Sequence, residues 1–303
     1  MDLEVVLPDE SPDIAPEAFV ELARTAERLG YRTLYLPDHL LPPEPYGATY
    51  GGVYEPLVTL AHIAARTSVI RLGTSVLVLP LRSPFVVAKQ VATLDRLSGG
   101  RAVLGVGVGW DRTEFASVGA DFATRGARTD EDIALLRHLF RDGGAFHGRF
   151  HHVEQGVFAP VPARSVPIMV GGTSEAALRR AAAVADEWQG FAIDAGGFAR
   201  CAARLRELAE NVFEKRGAGR PGQPGPAGSP TSAAHIRASR THSQRTPRLG
   251  TRLAWSGGRD ELERTVEEAH ALAEAGADAV AVWFGGADGA ADRMAEFAAA
   301  FRV

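Results

Sequence analysis

Short apolar segments alternate with amphipathic segments along most of the chain. The apolar segments are rich in β-branched residues, and the amphipathic segments repeat their apolar residues at helical spacing. This alternation is typical of parallel strands joined by helices. The pattern predicts eight strands, at residues 3–7, 33–36, 69–79, 102–108, 168–170, 188–191, 251–255 and 279–284.

Helices are predicted between these strands and after the last one. Gly99 and Gly100 follow the segment 84–97 and end its helix. The apolar face of that helix comprises Phe85, Ala88, Val91, Ala92 and Leu94. The other helices are predicted at residues 16–29, 57–65, from about 129, 174–185, up to about 216, 259–275 and 290–301.

This order of elements predicts an α/β fold, a TIM (β/α)8 barrel. Although 303 residues would also accommodate two small domains, the pattern favours a single domain over residues 1–303. Residues 146–162, after the fourth strand, are predicted to form a small hairpin or extended insertion. Residues 217–250, around the seventh strand, begin as a Gly/Pro-rich tract and are predicted to be a flexible or irregular insertion.

Composition and charge narrow the function classes. A net charge of −4 and a pI near 6.2 provide no basic surface for a phosphate backbone, so we expect no nucleic-acid partner. No apolar run approaches the roughly 18 residues of a membrane span, so no membrane partner is expected. The single cysteine, Cys201, cannot form an internal disulfide, which favours the cytoplasm.

Asp38 and His39 directly follow the second predicted strand. Side chains at this end of a barrel strand point into the mouth where barrel enzymes carry out their chemistry. A histidine can exchange a proton near neutral pH, and a neighbouring carboxylate can orient it. The pair therefore predicts catalytic residues, with His39 moving the proton and Asp38 positioning it. The alternative is a capped loop in which Asp38 binds backbone amides.

The fourth strand ends in the glycine-rich sequence GVGVGW, residues 105–110. A dinucleotide fingerprint would need a third glycine where Trp110 stands, and no helix is predicted directly after it. Small residues at Gly107 and Gly109 would instead let a flat heterocycle approach the backbone, with Trp110 as a pocket wall. The alternative is a tightly packed strand whose glycines allow close helix contact.

A second glycine pair follows the fifth strand, at Gly171 and Gly172. With Thr173 it leads into a predicted helix, whose positive N-terminus attracts anions. The segment therefore predicts a phosphate site, and the alternative is an ordinary helix cap. His147, His151 and His152 lack partnering carboxylates or cysteines at metal-ligand spacing, so no metal site is predicted.

Several motifs together resemble the luciferase-like monooxygenase superfamily. They are LGYRTLYLPDHL, TLDRLSGGR, GVGVGW, RGAR and VPIMVGGTSEAALRRAA. Within this superfamily, the succession of TLDRLSGGR, GVGVGW and RGAR most resembles the branch predicted to use the deazaflavin coenzyme F420. The resemblance implies a barrel of the bacterial-luciferase-like type and oxidoreductase activity. It also implies a possible homodimer.

The resemblance assigns roles to residues at the strand ends. It implies that Asp38 and His39 lie beside the cofactor ring and that Gly171, Gly172 and Thr173 bind the cofactor's phosphate. It further implies a bulge at Thr74, Ser75 and Val76, with a non-prolyl cis peptide between Ser75 and Val76 that supports the ring. In the sugar-phosphate dehydrogenases of this superfamily a glutamate stands where this chain has Trp110. Glu114 is the candidate replacement.

Three functions are consistent with these features. The first is F420-dependent hydride transfer to or from a small organic substrate. The second is an FMN-dependent monooxygenase that uses molecular oxygen and a separate reductase, and the third is a non-catalytic flavin-binding protein. Tyr46, Tyr50 and Trp110 predict an aromatic pocket for an apolar or planar substrate.

Overall fold

The computed structural model describes residues 1–8, 14–41, 54–141, 143–217 and 246–302. The strands in these ranges are β1 (Asp2–Val6), β2 (Thr33–Leu36), β3 (Arg71–Thr74), β4 (Leu77–Val78), β5 (Ala102–Gly107), β6 (Phe146–His147), β7 (His152–Val153), β8 (Ile168–Gly171), β9 (Glu187–Gly190), β10 (Arg248–Ala254) and β11 (Ala279–Trp283). The α-helices are α1 (Pro16–Leu29), α2 (Pro56–Ala64), α3 (Pro84–Ser98), α4 (Arg112–Ser117), α5 (Arg125–Arg141), α6 (Glu175–Val184), α7 (Ala195–Gly217), α8 (Arg259–Glu274) and α9 (Ala290–Phe301).

Parallel strands close into a barrel of eight positions. The pairing runs through β1, β2, β3, β5, β8, β9, β10 and β11 and returns to β1. At the closure, Asp2 lies opposite Ala279 and Val6 opposite Trp283. β4 continues the third position after the Ser75–Val76 bulge and also pairs with β5. The predicted TIM barrel is confirmed.

Proline and glycine mark the ends of several helices, as the sequence predicts. Pro16, Pro56 and Pro84 are the first residues of their helices, where an N–H would have no intrahelical partner. Gly30 and Gly99 end α1 and α3 in the left-handed conformation, with φ of 81° and 72°. The lengths of these helices are therefore encoded locally.

The hydrophobic core has two layers. The larger layer lies between the barrel wall and the helices, and it includes Leu34, Leu60, Val91 and Leu136. The smaller layer fills the barrel and comprises Val6, Tyr35, Val103, Met169 and Ala281. The prediction that Phe85 faces the core is wrong, because its side chain is 40% exposed. It lies at the second position of α3, where its ring meets His151 edge-on.

The predicted hairpin after the fourth barrel strand is confirmed. β6 and β7 pair antiparallel, with Phe146 opposite Val153. Glu131 of α5 anchors the turn by accepting hydrogen bonds from the backbone N–H groups of Arg149, Phe150 and His151, at 2.7, 2.7 and 2.8 Å. The His151 ring also contacts the Asp132 carboxylate at 2.6 Å. These bonds attach the hairpin to α5.

Charged side chains fill the amino-terminal end of the barrel. Arg248 contacts Asp2 at 2.7 Å, Glu4 at 2.9 Å and Glu187 at 3.7 Å, while Arg71 contacts Glu187 at 2.6 Å. Burial raises the pKa of Glu4, and Arg248 opposes that shift. Because buried carboxylates require partners, the two arginines allow acidic residues on β1 and β9 to point into the barrel.

Several element boundaries differ from those predicted. The third strand is interrupted at Ser75–Val76 and does not include Val69, which is exposed. α5 begins at Arg125 rather than near Thr129, because a 3-10 turn capped by Asp121 leads directly into it. A helix that was not predicted, α4, starts at Arg112, where the Asp111 side chain accepts a hydrogen bond from the Thr113 N–H.

The seventh strand is longer at its start than predicted. β10 begins at Arg248 and so includes the last residues of the segment 217–250 that was predicted to be irregular. Residues 218–245 of that segment lie outside the described residues. Among the helices that the structure describes, none combines the length and apolarity needed to cross a membrane.

The charged cluster predicts a large effect of removing Arg248. Arg248→Met should lower the free energy of unfolding by about 3–5 kcal/mol at pH 7, because the buried Glu4 carboxylate would lose its cation. The difference in unfolding free energy between the two proteins should become smaller as the pH falls toward 4.5. The pKa of Glu4 is raised in the folded protein, so its carboxyl becomes protonated over this range and then needs no cation. Urea denaturation at several pH values measures this change.

Arg24→Met is the matched control. Arg24 contacts Glu21 at 3.0 Å, but both side chains are largely exposed. An exposed pair of this kind contributes at most about 1 kcal/mol. Equal losses in the two variants would show that the cluster inside the barrel has no special importance.

Candidate functional site

The carboxyl ends of the barrel strands bring the predicted site residues to one rim. His39 follows β2, the Ser75–Val76 bulge follows β3, Trp110 follows β5, and Gly172 follows β8. Hydrogen bonds across the barrel connect several of these segments, so the four sequence clusters lie around a common mouth.

His39 is held by Glu114. This residue lies in the first turn of α4, which places its carboxylate next to the segment after β2. Nδ1 of His39 lies 2.9 Å from Oε2 of Glu114. The other oxygen, Oε1, accepts the backbone N–H groups of Leu40 at 2.6 Å and Leu41 at 3.1 Å. Glu114 is 2% exposed. The geometry makes this pair the best candidate for proton transfer at the rim.

The pKa of Glu114 reflects two opposing causes. Burial raises the pKa of this carboxyl, but hydrogen bonds from His39, Leu41 and Leu40 together lower it below its ordinary value of 4.5. Glu114 is therefore an ionised carboxylate at neutral pH. An ionised carboxylate can only accept hydrogen bonds, which constrains the proton on its histidine partner.

Asp38 has a different partner from the one predicted. Its Oδ1 contacts Nη2 of Arg82 at 2.5 Å, and its Oδ2 accepts the Val78 N–H at 2.8 Å. Arg82 also contacts Glu55 at 2.8 Å. The prediction that Asp38 orients His39 is wrong, because the Asp38 carboxylate is bound to Arg82 and the Val78 N–H while Glu114 contacts the His39 ring. Asp38 instead ties the end of β2 to β4.

Ser75 is bound from three other barrel strands. Its N–H donates to the carbonyl of Leu36, its hydroxyl donates to Oε1 of Gln189 at 2.5 Å, and its carbonyl accepts Nη1 of Arg252 at 3.2 Å. The peptide bond between Ser75 and Val76 is cis, as the family resemblance implied. The neighbouring Thr74 hydroxyl donates to the carbonyl of Gly105 at 2.7 Å, so it faces the wall rather than the mouth.

Glycines in β5 and β8 make room for Val76. A Cβ at Gly107 would lie 2.5 Å from Cγ2 of Val76, and a Cβ at Gly171 would lie 2.7 Å from Cγ1. Gly107 was predicted to let a heterocycle approach the backbone, and Gly171 was predicted to bind a phosphate. They primarily accommodate Val76, so a flat ligand would meet the bulge rather than the bare glycine backbone.

Gly109 and Trp110 complete this side of the rim. Gly109 has φ of 73°, and a Cβ there would lie 2.6 Å from Val78 and 2.7 Å from the ring of Phe115. Trp110 is 55% exposed, and its ring lies edge-on to His39 with centroids 5.8 Å apart. Trp110 is thus placed as a wall beside His39. Tyr46 and Tyr50, the other predicted pocket residues, lie outside the described residues.

A cavity of about 300 Å³ lies between the ends of β5 and β8 and the first turns of α5 and α6. Its polar lining includes Ser174, which caps α6, and two arginines, Arg125 and Arg180. Arg180 is bound to Asp130 at 2.5 Å. The buried Nε of Arg125 has no hydrogen-bond partner among the described residues. The two guanidinium groups give the lining of the cavity a positive charge.

The glycine pair contributes unequally to this cavity. Gly171 lines it, as predicted for a phosphate site. The N–H of Gly172 donates to the carbonyl of Gln189 at 3.0 Å, and its carbonyl accepts the Trp188 ring N–H, so Gly172 mainly supports the loop. Thr173 precedes the helix cap and is half-buried. Cofactor binding by these two residues remains a prediction.

Four rim residues had no assigned role in the sequence-based prediction. They are Gln189, Arg252, Arg125 and Ser174. Strand alternation could have placed Arg252 inside the barrel, because Arg248, Gly250 and Arg252 share one face of β10. No sequence signal links Glu114 to His39, since 75 residues separate them.

Comparison with known proteins identifies similar chains. A family model described as luciferase-like monooxygenase matches residues 1–302. An uncharacterised protein of Mycobacterium tuberculosis is 36% identical over 208 residues, which cover 64% of this chain and 72% of that protein. An F420-dependent glucose-6-phosphate dehydrogenase of Nakamurella multipartita is 33% identical over 175 residues, which cover 56% of this chain and 51% of the dehydrogenase.

Solved structures share the fold over the whole chain. An F420-dependent secondary alcohol dehydrogenase in complex with an F420–acetone adduct has a TM-score of 0.76 at 15% identity, covering 100% of both chains. The monooxygenase RslO1 from Streptomyces bottropensis has a TM-score of 0.74 at 19% identity, covering 100% of this chain and 99% of that one. At these identities the likeness shows the barrel fold.

The contact between Val76 and the β5 glycine predicts a coupled pair. Gly107→Ala should lower the free energy of unfolding by about 1–3 kcal/mol, because the new Cβ would overlap Val76. Combining it with Val76→Ala should recover at least about 0.5 kcal/mol relative to the sum of the single changes. Urea denaturation of the four proteins in this double-mutant cycle measures the coupling.

Gly286→Ala is the control for the added methyl group. A Cβ at Gly286 meets no atom within 4 Å, so this change should alter stability by no more than about 0.5 kcal/mol. Strict additivity of Gly107→Ala and Val76→Ala would refute the predicted contact.

Proposed function

Because this chain belongs to the luciferase-like monooxygenase family and is an oxidoreductase, we propose that it uses coenzyme F420 to transfer a hydride to or from a small organic substrate. The observation that carries the proposal is the rim itself. It combines a nearly buried, carboxylate-bound histidine with the Ser75–Val76 bulge and an arginine-lined cavity between two helix starts.

The residues present fit a ring cofactor that carries a phosphate. The Ser75–Val76 bulge would support the ring, and its backbone is tied to β2, β9 and β10 by hydrogen bonds. The guanidinium of Arg125, together with Ser174 and Gly171, would hold the phosphate. When bound, the coenzyme supplies a two-electron hydride transfer.

The proposed role of His39 is to exchange the proton that accompanies the hydride. Oxidation of an alcohol releases a proton from the substrate hydroxyl, and reduction of a carbonyl takes one up. His39 is nearly buried against Glu114, which fixes its ring at the rim. Trp110 lies beside it and would limit the access of water to the substrate.

The substrate is proposed to be apolar or planar rather than a sugar phosphate. Trp110 stands where the sugar-phosphate dehydrogenases of the family resemblance carry a glutamate, and Glu114 is used to hold His39. Leu41, Trp110 and Phe191 are each more than half exposed and follow β2, β5 and β9. An apolar substrate would cover these surfaces.

An FMN-dependent monooxygenase, supplied by a separate reductase, is the second candidate. FMN has the same kind of tricyclic ring and a phosphate, so the bulge and the cavity would suit it as well. The fold likeness to a Streptomyces monooxygenase favours keeping this alternative. The assignment to an oxidoreductase family leaves the non-catalytic alternative without support.

Cofactor titration tests the proposal. We expect the protein to bind F420 more tightly than FMN, measured by fluorescence of each cofactor against increasing protein. Arg125→Gln should weaken binding of the preferred cofactor by about tenfold, since a charge-assisted hydrogen bond contributes about 1.5–3 kcal/mol. Riboflavin, which has no phosphate, should show no change in affinity between the two proteins. Tighter binding of FMN would favour the monooxygenase.

His39→Ala tests the proton-transfer role. The variant should bind the coenzyme as tightly as the unmodified protein but lose about 10²–10⁴-fold in kcat, the usual contribution of general acid–base catalysis. The assay follows coenzyme absorbance with the best substrate from a panel of secondary alcohols and apolar ketones. Full activity in the variant would remove His39 from the mechanism.

A further inference from the structure

We propose that Glu114 is a positioning residue that keeps the proton of neutral His39 on Nδ1, so that His39 exchanges protons with the substrate through Nε2. The catalytic consequence rests on the proposed function. The position of the proton does not rest on the proposed function, because the proton lies on the protein whether or not a cofactor is bound. The two claims can therefore fail separately.

The first step of the argument is the charge of Glu114. Its carboxyl is buried and has three polar neighbours, which are the backbone N–H groups of Leu40 and Leu41 at Oε1 and Nδ1 of His39 at Oε2. Two of these are backbone N–H groups, which remain donors at every pH. A protonated Glu114 could donate only from Oε2 to Nδ1, whereas the two fixed donors at Oε1 favour the charged carboxylate. Together with His39 they outweigh burial and hold the pKa of Glu114 below its ordinary value, so the carboxyl is ionised under the conditions in which histidine is neutral.

The second step concerns the imidazole ring. A neutral histidine carries one proton on one of its two nitrogens, and the other nitrogen has a lone pair. Nδ1 lies 2.9 Å from Oε2 of the ionised Glu114, so a lone pair on Nδ1 would face a second lone pair. The proton must be on Nδ1, and the lone pair of the neutral ring is on Nε2.

The two oxygens of Glu114 have separate tasks. Oε1 accepts the backbone N–H groups of Leu40 and Leu41 and so fixes the segment after β2, whereas Oε2 contacts the ring of His39. A glutamine at this position could keep the first task. Its carbonyl oxygen would accept the two backbone N–H groups, and its amide nitrogen would face His39.

This division makes Glu114→Gln a selective test. The glutamine amide would donate to Nδ1, which moves the proton of neutral His39 to Nε2. The segment after β2 would stay in place while the reactive nitrogen loses its lone pair. In the direction that oxidises an alcohol, Nε2 could then no longer accept the proton that leaves the substrate hydroxyl as the C–O bond becomes C=O.

The protonation site is measured on the ligand-free protein. Long-range 1H–15N correlation spectra of 15N-histidine-labelled protein, recorded above the pH at which histidines titrate, distinguish the two neutral forms. His39→Gln identifies the signal. We expect Nδ1–H in the unmodified protein and Nε2–H in Glu114→Gln. An Nε2–H signal in the unmodified protein overturns the proposal even if the variant fails to fold.

Glu131→Gln is the matched control. Glu131 also accepts three backbone N–H groups from a neighbouring segment, but that segment is the β6–β7 turn far along the chain from His39. Its substitution should leave the His39 signal unchanged and leave turnover unchanged. A change of the His39 signal in both variants would indicate a general loosening and would overturn a specific role for Glu114.

Measuring the turnover of Glu114→Gln tests the role of Glu114 in catalysis. Glu114→Gln should lower kcat by about 100-fold or more, as expected for a general base presented in the wrong tautomer, with the dissociation constant of the coenzyme unchanged. Unchanged kcat together with the reversed tautomer overturns the positioning role in catalysis. If the unmodified protein binds neither F420 nor FMN, the proposed function fails, whereas the spectra still decide where the proton lies.

Discussion

Closure of the barrel between β1 and β11 is the constraint on which the rest of the structure depends. Because all eight positions are parallel, closure brings every strand's carboxyl end to the same rim. Residues that are distant in sequence, such as Ser75 and Arg252, become neighbours across the barrel for this reason. An open sheet would leave the first and last strands at opposite edges and would separate this pair.

The two ends of the barrel interior are packed in different ways. At the amino-terminal end, Arg71 and Arg248 neutralise acidic side chains that cannot reach solvent. At the carboxyl end, glycines in β5 and β8 leave space that Val76 fills, and the bulge is bound by Gln189 and Arg252. The first arrangement stabilises the fold, and the second shapes a rigid surface at the mouth.

The rim also shows how neighbouring carboxylates can have unlike roles. Asp38 is adjacent to His39 in sequence but binds Arg82 and the backbone of β4, whereas Glu114 reaches His39 from another helix. Both carboxylates are buried and both hold backbone N–H groups. Only Glu114 is bonded to a group that can exchange a proton with a ligand. The chemistry of the site therefore depends on contacts across the barrel rather than on local sequence.

Local sequence determined the order of strands and helices, the barrel class and most helix ends, because hydrophobic period and Pro or Gly positions act within a few residues. It also located His39 and Gly171 at strand ends, whereas the Ser75–Val76 bulge was implied by the family resemblance. Tertiary structure alone decided that Glu114 holds His39, that Arg125 lines the cavity and that the charged Arg248 begins a buried strand. These outcomes depend on which side chains meet after closure, and a one-dimensional pattern carries no information about such distances.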